Sequence, residues 1–246
     1  MSEPGLLRGA LLLALALGAG ALAAESPAAL LAASDLFAAA PEELRLELEV
    51  GAEGSAARVP LEIWRRGRER ALVRFLAPAE RGKFVLRLGA DTWFVAPGAS
   101  RPVKLGAAFR LQGGAALDEL LGLALERDYR IAASHESSGV VTFDLEAVAP
   151  TAAWPRLRWA VDAARRRPLR AELKTAQGKT MRVIEFRAWL DGKKLVPGEV
   201  AIADLARGGK LVATFRAFEP RAVPEALFSL TDGAARAALA VPAGPG

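Results

Sequence analysis

Apolar and polar positions alternate with a period of two along most of this chain, and Gly- or Pro-bearing turns interrupt the alternation every ~8–12 residues. The pattern is densest from Glu69 to Leu105, which reads as four short strands. Ala71, Val73 and Phe75 alternate with Leu72, Arg74 and Leu76, so one face is apolar and the other mixed. Phe84, Leu86 and Leu88 repeat the period with Lys83, Val85 and Arg87 between them, and Trp93 and Val95 follow before Pro97. This predicts an antiparallel meander with one apolar face. Upstream, Leu44, Leu46, Leu48 and Val50 form a first strand and Val59 to Trp64 a second. Downstream, strands are predicted at Asp128–Ala133, Val140–Val148, Leu157–Ala163, Leu169–Thr175, Thr180–Leu190, Glu199–Leu205 and Lys210–Phe218. Asp191-Gly192 is a hairpin signal between two of them. Two stretches break the rhythm. Ala28 to Ala40 predicts an N-terminal helix, and Ala115 to Leu125, with Leu117, Leu120 and Leu121 at helical spacing, predicts a short amphipathic helix over one mouth of the sheet. The fold class is therefore mainly β: about eleven strands in a curved antiparallel sheet, barrel or half-barrel, with few helices. Such a sheet either packs on a second layer or lines an apolar cavity, and the pattern leaves both open.

The first 23 residues stand apart. Arg8 precedes an apolar run from Gly9 to Gly20, and Ala21-Leu22-Ala23 offers a small-x-small cleavage site. This is the pattern of a secretory signal peptide cleaved near Ala23, and no Cys follows that would carry a lipid anchor. Residues 24–233 are expected to form one domain, and 234–246 an Ala-, Pro- and Gly-rich flexible tail. With no cysteine anywhere, an exported chain must rely on its core, and thiol catalysis and Cys-based metal sites drop out. The net charge of +5 fits either contact with an anionic partner or a solvated basic exterior. The single histidine, His135, sits in Ser134-His135-Glu136-Ser137-Ser138-Gly139. Triad members meet through the fold and rarely adjoin in sequence, so this segment reads as an exposed hairpin loop. No catalytic residue, metal site or cofactor is expected, and no nucleic-acid partner; the chain is expected to be a monomer.

Aromatic residues recur on nearly every strand, including Trp64, Phe75, Phe84, Trp93, Phe109 and Trp159. They serve equally as sandwich core or as cavity lining, and the sequence does not separate the two.

Three segments in order carry a resemblance. Leu72-Val73-Arg74-Phe75-Leu76-Ala77-Pro78, then Arg81-Gly82-Lys83, then Asp91-Thr92-Trp93-Phe94-Val95-Ala96-Pro97 followed by Arg101 and Lys104, resemble the bacterial outer-membrane lipoprotein-sorting protein family. Phe109 to Tyr129, Pro150 to Leu169 and Pro224 to Phe228 resemble its later sections, with Gly114-Ala115-Ala116 where that family carries Ser-Asp-Phe. The resemblance implies the LolA/LolB-like fold, an unclosed antiparallel barrel with short helices as a lid over an apolar cavity. It implies a periplasmic carrier or chaperone for lipoprotein acyl chains or other lipids, with an inner-membrane transporter as donor and an outer-membrane acceptor. On that reading Phe75, Phe84, Leu86, Trp93, Phe109 and Trp159 line the cavity, and Leu117, Leu120 and Leu121 belong to the lid. The other reading is a non-catalytic accessory subunit of an envelope lipid transporter, which would dock through basic residues such as Arg165-Arg166-Arg167.

Overall fold

The computed structural model describes residues 26–36, 40–97, 99, 101–106, 109–111, 114–150, 152–190, 196–231, 233, 234 and 236. The expected signal peptide, residues 37–39 of the expected first helix, the Asp191-Gly192 turn and most of the tail lie outside these residues. Thirteen strands form one sheet, one for each segment that the alternation picks out and more than the expected total of about eleven. They are β1 (Glu43–Ala52), β2 (Val59–Arg66), β3 (Arg70–Phe75), β4 (Phe84–Leu88), β5 (Asp91–Val95), β6 (Val103–Leu105), β7 (Tyr129–Ser137), β8 (Val140–Ala147), β9 (Arg156–Asp162), β10 (Arg167–Lys174), β11 (Thr180–Trp189), β12 (Pro197–Asp204) and β13 (Lys210–Pro220).

The sheet order is β6-β5-β4-β3-β2-β1-β13-β12-β11-β10-β9-β8-β7, antiparallel throughout. Each half is a meander of sequence neighbours, and the pairing of β1 with β13 joins the halves at the centre. The two free edges, β6 and β7, are therefore consecutive in the chain, and the sheet is unclosed between them. Register shifts in β1–β13, β7–β8, β9–β10, β10–β11 and β11–β12 bend and twist those strands, which curls the sheet.

The segment that joins the two edges holds α2 (Leu117–Leu121) and α3 (Leu125–Asp128). One continuous helix was expected here; Gly122, at φ 84°, breaks it into two. The N-terminal α1 (Pro27–Ser34) starts on Ser26, whose hydroxyl accepts from the Ala29 amide at 3.2 Å, with Pro27 in the first turn. All three helices bury leucines against one face of the sheet, here called the inner face. Leu30, Leu31, Leu117, Leu120, Leu121, Leu123 and Leu125 share a cluster with Leu46, Ile63, Val73, Phe143, Trp159, Phe186 and Phe215.

The outer face carries its own small cluster. Trp64, Leu72, Leu86 and Trp93 are register partners across β2 to β5, so they form one continuous row. Val223, Leu227 and Phe228, from the extended segment after β13 and its 3-10 turn at Glu225–Phe228, cover that row. Beside it, the buried Glu62 carboxylate pairs with Arg45 at 2.6 Å and Arg74 at 2.7 Å, and accepts from the Trp64 indole at 2.8 Å.

Candidate functional site

The sheet's open seam is where the inner face reaches solvent. A cleft of about 330 Å³ lies there. Arg87 and Thr92 from the β4–β5 hairpin form one wall, Phe109 and Arg110 a second, Ala116 to Asp118 of α2 the roof, and Pro150 with Ala152 to Trp154 of the β8–β9 loop the far side. The cleft opens on the inner side. Arg87 stands opposite Ala71 and Thr92, and Thr92 opposite Leu105, a row of inner-facing positions.

Two carboxylates of α2 hold it in place. Asp118 pairs with Arg87, both partly exposed. Glu119, fully buried, pairs with Arg182 of β11 and accepts from the Ala116 amide at 2.8 Å. Burial pushes the Glu119 carboxyl above its usual range, and the neighbouring Arg182 opposes that shift. Arg182 also donates to the Gly114 carbonyl at 3.1 Å. Across the cleft, burial lowers the Arg110 guanidinium; Glu119 counteracts this, while Arg182 and Arg207 add to it.

A second polar knot ties α1 to α3. Asp35, at the end of α1, pairs with Arg68 at 2.8 Å and accepts from the Leu125 amide at 3.4 Å. Arg68 in turn donates to the Leu123 carbonyl at 3.3 Å. Burial dominates the Asp35 carboxyl and pushes it up to about 6, although Arg68 pulls it down. Burial also lowers the nearby Arg65 to about 10.

The expected lining residues fall into two sets. Phe75 and Trp159 lie in the inner cluster with Phe109 packed against it, and only Phe109 borders the cleft. Trp159 is fixed by its indole N–H, which donates to Ser34 of α1 at 3.0 Å. Phe84, Leu86 and Trp93 sit on the outer face beneath the C-terminal segment, so they share no wall with Phe75 and Trp159. The physical reason is that β4 and β5 are apolar on both faces, and alternation alone does not say which face turns inward. The expected lid leucines Leu117, Leu120 and Leu121 are all buried in the inner cluster, and Leu117 also borders the cleft.

His135 is exposed, but in a strand rather than a loop. It lies within β7 opposite Thr142, and the hairpin turn is the two residues Ser138 and Gly139 at φ 50° and 76°. Among the described residues no group of three or more His, Asp or Glu is placed to hold a metal ion. No described helix is long and apolar enough to cross a membrane. Within the basic triplet, Arg165 pairs with Asp162 at 2.7 Å and Arg167 lies over the Trp189 ring at 5.3 Å.

Sequence reasoning missed Arg87, Arg110, Asp118 and the Glu119–Arg182 pair. A signal for the last existed: Arg182 shares the period-two face of Ile184 and Phe186, a charge among buried apolar residues.

A protein family described as uncharacterized matches residues 67–232. The chain belongs to that family. Solved structures agree on the fold. A LolA superfamily protein from Nitrosomonas europaea superposes with a TM-score of 0.65 at 18% identity, covering 81% of this chain and 96% of its own. A Vibrio parahaemolyticus domain named for outer membrane lipoprotein sorting superposes with a TM-score of 0.60 at 14% identity, covering 76% and 88%. A DUF1329 family protein from Desulfovibrio piger reaches a TM-score of 0.55 at 16% identity, covering 77% and 90%. No curated protein matches the sequence. The fold is LolA-like, with the segment that holds α2 and α3 joining the two edges of the unclosed sheet.

Proposed function

We propose that the protein is a non-catalytic carrier of the bacterial envelope, shielding acyl chains of lipoproteins or related lipids in transit through the periplasm to the outer membrane. The observation that carries this reading is the inner face. It is apolar across strands of both halves of the sheet, and two of the three helices that cover it, α2 and α3, belong to a segment strung across an open seam. Each methylene withdrawn from water is worth about 0.8 kcal/mol, so an acyl chain in an aqueous compartment needs such a face. The leucines of α2 and α3 occupy the inner face when no cargo does, and cargo enters by displacing them. The likeness in fold to a domain named for outer membrane lipoprotein sorting supports the same reading. In this scheme the donor is an inner-membrane transporter and the acceptor an outer-membrane protein.

The test is native mass spectrometry and lipid extraction of the mature protein purified from the periplasm. A bound acyl species, or uptake of a fluorescent fatty-acid probe, is expected. Protein that carries no lipid and takes up no probe overturns the reading.

A further inference from the structure

An arginine on an apolar inner face is costly unless its charge is used. Arg87 lies in the inner-facing row with Arg65, Ala71, Thr92 and Leu105, and its ion-pair partner is not on the sheet but on α2. That pair therefore exists only while α2 is seated. Both side chains are partly exposed, at 21% and 32%, so a solute in the cleft reaches them.

Arg110 is a second cation of the lining, with Glu119 and Asp204 facing it as counter-charges. The remaining walls are apolar: Phe109, Leu117, Pro150 and Trp154. A cleft of about 330 Å³ has room for a head group and a run of chain.

We infer that the seam cleft binds the anionic head of an amphiphile and one adjoining chain, and that Asp118 is a resident anion which this head replaces on Arg87. The inference rests on the lipid-carrier reading and names the ligand class for it. A carboxylate and a phosphate share the needed chemistry, since either accepts two parallel N–H bonds from a guanidinium. The exchange couples binding to opening. Once the ligand's head holds Arg87, α2 loses one of its two ionic anchors and only the Glu119–Arg182 pair still holds it.

The experiment uses the full mature chain and three ten-carbon probes: sodium decanoate, monodecyl phosphate and decan-1-ol, titrated by calorimetry. The two anions are expected to bind at least about tenfold more tightly than the alcohol, the worth of a charge-assisted hydrogen bond. Whichever anion binds more tightly identifies the head as carboxylate or phosphate. Arg87→Gln should remove that preference while the alcohol's affinity holds. Asp118→Asn should tighten both anions roughly two- to fivefold, the worth of a partly exposed ion pair, and leave the alcohol unchanged. A gain of affinity is not a result that misfolding produces, so this variant keeps the test decisive if Arg87→Gln fails to fold. If the alcohol binds as well as the anions, or Asp118→Asn weakens them, the head-group inference falls and the carrier reading stands. If none of the three binds, both fall.

Discussion

Glu119 and Arg182 are both sealed from water; Arg182 has a second carboxylate in Asp204 at 3.6 Å, whereas removing Arg182 takes from the buried Glu119 its ion-pair partner. Arg182→Leu should destabilise the fold by about 3–5 kcal/mol in urea unfolding, and replacing both by Leu and Met should recover most of that loss. Asp35 carries the opposite sign. Its carboxyl holds its proton up to about pH 6 in the folded chain against 3.8 when unfolded, so the native state binds more protons in that window. Stability from this group is complete below about pH 4, falls as pH rises to about 6, and stays low at pH 7. Asp35→Asn should therefore raise stability at pH 7 by up to about 3 kcal/mol and flatten the profile between pH 4 and 6, read from urea midpoints. The Arg182 charge was visible in sequence as a break in an apolar register. Asp35 was not, because nothing local says that the turn between β2 and β3 brings Arg68 to the end of α1.

At the level of elements, strand positions were legible because alternation and turn residues coincide. Even the four segments within Glu69–Leu105 are β3 to β6. What alternation did not settle was orientation. Leu72, Val73, Val85 and Leu86 are all buried, two on each face, so the sequence of β3 and β4 looks alike from either side. Orientation is set instead by what arrives to cover each face, α1 to α3 within and residues 221–230 without. The outer cover is open to test. Phe228→Ala should cost about 3–5 kcal/mol by leaving a cavity over the Trp64–Leu72–Leu86–Trp93 row. A red shift in tryptophan emission should accompany it, since Trp64 and Trp93 belong to that cluster.

Across the whole molecule, strength is unevenly placed. The centre of the sheet is the long β1–β13 ladder, while among the described residues the seam is crossed by the short helices α2 and α3, held by buried leucines and by the Asp118–Arg87 and Glu119–Arg182 pairs. Hydrogen exchange should accordingly be faster in α2 and α3 than in β1 and β13, and faster still with decanoate bound if α2 is displaced. The same exchange rate in all four elements would argue against a removable plug.

That central ladder also orders events during synthesis. Arg45 of β1 meets Glu219 of β13, 174 positions later, so β1 waits for its second neighbour until the last of the described strands has been made. Closing so long a loop is slow, and until it closes β1 and β12 each keep one open edge where the two halves will meet. A chain truncated after Gly209 should therefore lack a settled tertiary fold by near-ultraviolet circular dichroism. On the reading that the chain is exported before it folds, a fold whose halves join through so late a contact stays pliable until the passage is complete.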